Sequence, residues 1–172
     1  MTDEPSSANS FRTNQKNTRL RDLFASFPSG VTIVTSSNFE GDLQGTTVSA
    51  FAPVSLDPAL VLISLDQKSR TAAAISERKA FVIHLLDFEK ADLATHFAKD
   101  FDRKFDGISH TLNAKGIPII NECQTYIECT LATRHYEGDH VLIIGTVDQI
   151  ENSQSFKPLI YHQRSFHSLD KV

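Results

Sequence analysis

Lys68-Ser69-Arg70-Thr71 runs directly into Ala72-Ala73-Ala74-Ile75. Ser69 is placed to cap a helix, which leaves the amides of Arg70, Thr71 and Ala72 directed outward at its start. An oxyanion there meets N–H donors, the positive end of the peptide dipoles, two hydroxyls and a guanidinium, a set suited to a small phosphate. The plainer reading of the same residues is an ordinary N-cap beside a solvated arginine. In Thr46-Thr47-Val48-Ser49-Ala50-Phe51, small hydroxyl side chains on a buriable strand let a flat polar ligand approach the backbone and bond along its ring edges. An exposed edge strand has the same composition. Gly138-Asp139-His140 reads as a turn before residues 141–147, where an imidazole could contact a ligand or carry a proton near neutrality. A hairpin turn with an exposed ring fits that pattern as well. Lys104 ends a charge cluster, residues 99–104, which reads as a solvated face with one lysine in reach of a phosphate.

Several chemistries are absent. The seven glycines, at 30, 41, 45, 107, 116, 138 and 145, never fall as G-x-G-x-x-G, and no G-K-[ST] occurs. A Rossmann site and a P-loop are therefore excluded. There is no G-x-S-x-G elbow and no H-E-x-x-H helix. His135, His162 and His167 lack any spacing that demands a metal. Cys123 and Cys129 cannot build a disulfide framework and read as small buried hydrophobes. A net charge of -4 over 172 residues gives no reason to bind nucleic acid. The only apolar run, near residues 59–65, is far short of the ~20 residues that span a bilayer. The expectation is one soluble, cytoplasmic domain without a metal.

The elements that must position these residues are mostly strands. Residues 1–16 carry little to bury and read as a flexible arm before a domain at 17–172. Leu20, Leu23, Phe24 and Phe27 form one face of a short helix over residues 18–27, stopped by Pro28 and Gly30. Residues 31–35 are β-branched, and residues 44–51 return after a turn at 39–42. Residues 60–65 read as a strand buried on both faces. Residues 72–78 and 90–98 are helical, and 80–86 is a strand. Ile127, Cys129 and Leu131 alternate with polar neighbours, and 141–147 is a nearly all-apolar strand. Six or seven strands with two or three helices, not in strict alternation, predict a mainly β barrel with peripheral helices.

In order along the chain, these segments resemble the flavin reductases that serve two-component flavin-dependent monooxygenases. The resemblance runs from about residue 20 to 169. It rests on Phe27-Pro28-Ser29-Gly30-Val31-Thr32, Thr47-Val48-Ser49-Ala50-Phe51, Val54-Ser55-Leu56-Asp57-Pro58, Ser69-Arg70-Thr71, Asp102-Arg103-Lys104-Phe105, Gly138-Asp139-His140 and Pro158-Leu159-Ile160-Tyr161. It implies an FMN-binding split β-barrel, a Greek-key fold working as a homodimer. Val31, Thr32, Thr47, Val48, Ser49 and Ser55 would then line the isoalloxazine and ribityl chain of FMN or FAD. Ser69, Arg70 and Thr71, with Lys104 in reach, would hold the phosphate. His140 would lie on the nicotinamide side, beneath a cover formed around Tyr161 and Phe166. Three departures stand out. Phe166 replaces a common tyrosine, Ser29-Gly30 replaces Thr-Gly, and His84 stands where an Asn often braces the backbone.

The implied reaction is hydride transfer from NADH or NADPH to the flavin, the protein stacking the two rings at roughly 3–3.5 Å. Reduced flavin would diffuse to a separate monooxygenase. A flavin storage or sensor protein on the same barrel and a pyridoxamine-phosphate-oxidase-like enzyme are the alternatives.

Overall fold

The computed structural model describes residues 7–169. Helix α1 (Ser7–Ala25) leads into strands β1 (Ser29–Gly30), β2 (Thr32–Ser37), β3 (Leu43–Val48), β4 (Phe51–Leu56) and β5 (Ala59–Asp66). Helix α2 (Arg70–Arg78), β6 (Ala80–Leu85), a 3₁₀ turn at Phe88–Lys90 and α3 (Ala91–Ala98) follow. The chain closes with β7 (His110–Leu112), β8 (Pro118–Ile120), β9 (Tyr126–Glu137), β10 (His140–Glu151), β11 (Ile160–His162) and β12 (Ser165–His167). No helix among the described residues is long and apolar enough to cross a membrane.

Seven strands form one antiparallel sheet in the order β3-β2-β6-β9-β10-β5-β4. Its two edge strands, β3 and β4, are nonetheless joined by just Ser49 and Ala50. Laid flat, six strand spacings would separate those edges by about 29 Å. Three peptide steps reach no more than about 11 Å. The sheet must therefore curl enough to bring the end of β3 to the start of β4. Val34, Val48, Val61, Ile63, Phe81, Ile83, Val141 and Ile143 converge inside the roll, and Ala72 and Ile75 of α2 pack among them. The alternate residues point outward. Ile33 joins Leu93, Ala94 and Phe97 of α3 in a second cluster, with Phe105, Ile120 and Leu159.

The mainly β expectation holds, and three local readings are corrected. The helix predicted from residue 18 begins at Ser7, because a formed helix propagates at one hydrogen bond per residue and no Pro or Gly intervenes. Residues 1–6 of the predicted arm lie outside the described residues. The strand predicted over 44–51 stops at Val48, and its last residue opens β4 at the far edge. The strand over 60–65 is not buried on both faces. In β5 the side chains of Val61, Ile63 and Leu65 are buried while Leu60, Leu62 and Ser64 are half-covered.

Candidate functional site

Helix α2 is built as its sequence requires. Ser69 is extended at φ -63 and ψ 127, and its Oγ accepts from the Ala72 amide at 3.4 Å. Three alanines continue the turn, and Lys79 closes it in the left-handed region, donating its N–H to Ile75 O. Ala72 and Ala73 find acceptors on Ser69, whereas the amides of Arg70 and Thr71 have no partner among the described residues. They face a cavity of about 730 Å³ between α2, β3 and the segment after α3. Thr71 lines it, only 2% exposed, and its hydroxyl bonds to no protein atom among the described residues. Two free amides and a free hydroxyl at a helix start are what a phosphate oxygen needs.

Four cations, Lys68, Arg70, Lys99 and Lys104, and three carboxylates, Asp66, Asp100 and Asp102, line the same cavity. Lys104 Nζ donates to Phe97 O at 2.9 Å and to Gly45 O at 3.1 Å, leaving one of its three N–H groups for a ligand. Burial, then the neighbouring Arg70 charge, pulls the Lys104 ammonium below the ordinary lysine value. Arg70 is engaged: Nη1 holds Asp102, and Nη2 holds Asp100 Oδ1 and Phe101 O, both at 2.8 Å. Its own titration moves up, chiefly through the Asp102 bond.

The structure thus gathers Ser69, Arg70, Thr71 and Lys104 as the sequence reading expects, and it redistributes the rest. Thr32 Oγ1 donates to Val48 O at 2.8 Å, and Thr47 Oγ1 to Ala94 O at 2.6 Å. Neither hydroxyl has its proton left to donate to a ligand. Val31 and Val48 are each 4% exposed and belong to the two apolar clusters. The strand residue facing the cavity is Thr46, beside Gln44, which sequence reasoning passed over. Ser49 lies farther along, in a shallow depression of about 450 Å³ shared with Phe24, Phe27, Tyr161 and Arg164. Phe166 packs edge-on against Tyr161, ring centres 5.6 Å apart. Ser55 is half-buried on β4. His140, half-exposed, stands at the β9–β10 hairpin, its Nδ1 2.7 Å from Asp139 Oδ1, and it pairs with Asp66 of the cavity wall. That imidazole holds Asp139 below the usual carboxylate range.

His84 fills the bracing position that the sequence left open. It is fully buried, with Nδ1 3.1 Å from Ile33 O and Nε2 3.1 Å from the amide of Ile120. The amide must donate, so Nε2 accepts and Nδ1 carries the proton to Ile33. Burial pulls its titration down to about 4, opposed by the Ile33 bond, and the ring is neutral. Cys123 and Cys129 are buried free thiols, pushed up to about 12 chiefly by burial.

Known proteins resemble this chain in sequence and in fold. The family described as flavin reductase like domain matches residues 24–170. A chain named FMN reductase (NADH) SmoA, from Agrobacterium fabrum, is 39% identical over 128 residues, 74% of this chain and 72% of that one. A probable flavin reductase of Rhizobium meliloti is 37% identical over 134 residues, 78% of this chain but 43% of its own longer length. Among solved structures, nitrilotriacetate monooxygenase component B from Mycobacterium thermoresistibile superposes with a TM-score of 0.85 at 29% identity, covering 92% of this chain and 89% of that one.

Proposed function

The chain belongs to the flavin reductase-like domain family, and from that premise we propose that it is an NAD(P)H:flavin oxidoreductase supplying reduced flavin to a separate monooxygenase. The observation that carries the reading is the cradle at α2. Two unbonded amides, the unbonded Thr71 hydroxyl and the Lys104 ammonium converge on one cavity beside Arg70. That donor set fits the terminal phosphate of FMN or the first phosphate of FAD.

The rest of the flavin follows β3. From Thr46 to Ser49 the chain advances about 10 Å, which carries a ribityl chain from the cradle to the strand's end. The ring would lie over the main chain from Thr47 to Ser49, with Ser55 on the adjoining strand and Tyr161 and Phe166 covering the aromatic side. Val31, Thr32 and Val48 act through the backbone they hold in place. When bound, the flavin accepts at N5 the hydride given by the nicotinamide C4. The protein needs no nucleophile. Its residues fix the phosphate, align the ring and exclude water from the stacked face. His140 does not line the cavity itself but pairs with Asp66, which does, and is assigned to the nicotinamide side.

The rolled sheet is assigned as the split barrel of a homodimer, with residues 17–172 as its one domain. Leu23, Phe24 and Phe27 are 64%, 69% and 75% exposed along α1 and its end. A second copy laid over that face covers both it and the depression beside Ser49. The proposed setting is the cytoplasm, where reduced nicotinamide is supplied. Steady-state oxidation of NADH and NADPH with FMN or FAD added tests the whole reading. Turnover requiring both partners is expected. Flavin binding without turnover would instead mark a storage protein.

A further inference from the structure

Among the described residues Arg70 is the one guanidinium lining the cradle, yet its acceptors are already in place. All three come from one short segment, Asp100 to Asp102. The two carboxylates are 96% and 87% exposed, and Arg70 is their sole partner among the described residues. Nothing in the local packing demands acids there. Apart from Arg70, what anchors the segment is not a contact of its acids: the Phe101 ring stands edge-on to His96 with centres 5.1 Å apart, His96 Nε2 lies 2.7 Å from Lys104 O, and Lys104 Nζ holds Phe97 and Gly45. Phosphate oxygens and aspartate oxygens compete for the same fork of donors.

We propose that Asp100 and Asp102 set how strongly this chain prefers a phosphorylated flavin over a phosphate-free one, by holding Arg70 until the phosphate displaces them. The proposal rests on the flavin reading of the cradle. Exposed ion pairs are individually weak, so a phosphate carrying nearly two charges wins the exchange, but with reduced net affinity. The carboxylates thus act as an internal competitor that keeps binding shallow enough for the flavin to leave. Riboflavin, which has no phosphate, is indifferent to the exchange.

The test is a titration of FMN and of riboflavin, followed by flavin fluorescence quenching, into wild type, D100N/D102N, R70A and the triple variant. D100N/D102N is expected to bind FMN about three- to tenfold more tightly, with riboflavin unchanged. That gain should shrink to nothing in the R70A background, because the competition runs through the guanidinium. No gain for FMN, an equal gain for riboflavin, or a gain surviving intact without Arg70 would each overturn the proposal. If wild type binds FMN no more tightly than riboflavin, the cradle reading itself fails.

Discussion

Thr46 and Thr47 are identical neighbours that the strand sends to opposite faces. Thr46 pairs with Val34, whose side chain points into the roll, and Thr47 pairs with Ile33, which points out toward α3. Period-two alternation guarantees that only one faces the cavity, but a single strand's sequence cannot say which. The α2 cradle was legible for the opposite reason, since capping chemistry is local and Ser69, Arg70 and Thr71 are consecutive. The distinction is measurable. Thr71→Val should weaken FMN binding about fivefold while leaving thermal stability unchanged, because its hydroxyl has no protein partner to lose. Thr47→Val should do the reverse, costing about 1 kcal/mol of folding stability through the bond to Ala94 and sparing flavin affinity. Calorimetry on both variants, beside flavin titrations, checks the pair.

Strand β6 was readable as a strand, but the work of its His84 was not. The ring ties β6 to the carbonyl of Ile33 in β2 and to the amide of Ile120 in β8, and its acceptor and donor lie 51 and 36 residues away in sequence. Because the folded ring titrates near 4 against an ordinary 6.5, the unfolded chain binds more protons between those values. Stability from this group is full above pH 6.5 and is lost as pH falls to 4, by roughly 3 kcal/mol. Denaturant melts across that window should show wild type losing more stability than His84→Asn, whose amide does not titrate. An equal slope in both proteins would remove His84 as the cause. Glycines were legible as turn and stop signals and as missing motifs, but not as packing positions. Gly45 proves to be a packing position on β3, where a Cβ would come within 2.7 Å of the Phe97 ring.

At the scale of the whole molecule, six or seven strands were expected where twelve are described, but the predominance of β structure followed from alternation and β-branching. The order β3-β2-β6-β9-β10-β5-β4 did not, because hydrophobic period records which face is buried and not which neighbour pairs. The same limit applies to α1. Its apolar stripe was visible in sequence as a buried face, yet Leu23 is 64% exposed on the isolated chain. Light scattering should find a dimer for wild type and a monomer for Leu23→Glu at micromolar concentration. A monomeric wild type would refute the paired assembly. The strand order also dictates how the chain matures on a ribosome. The β2–β3 and β4–β5 hairpins emerge first, but no ladder joins one to the other except through β6, β9 and β10. Until residue 151 has been synthesised, the nascent polypeptide carries two separate pieces, β3-β2-β6 and β4-β5, with sticky, unpaired borders. Chaperone demand and misfolding hazard should therefore peak late in translation, just before the hairpin of β9 and β10 arrives to weld the halves.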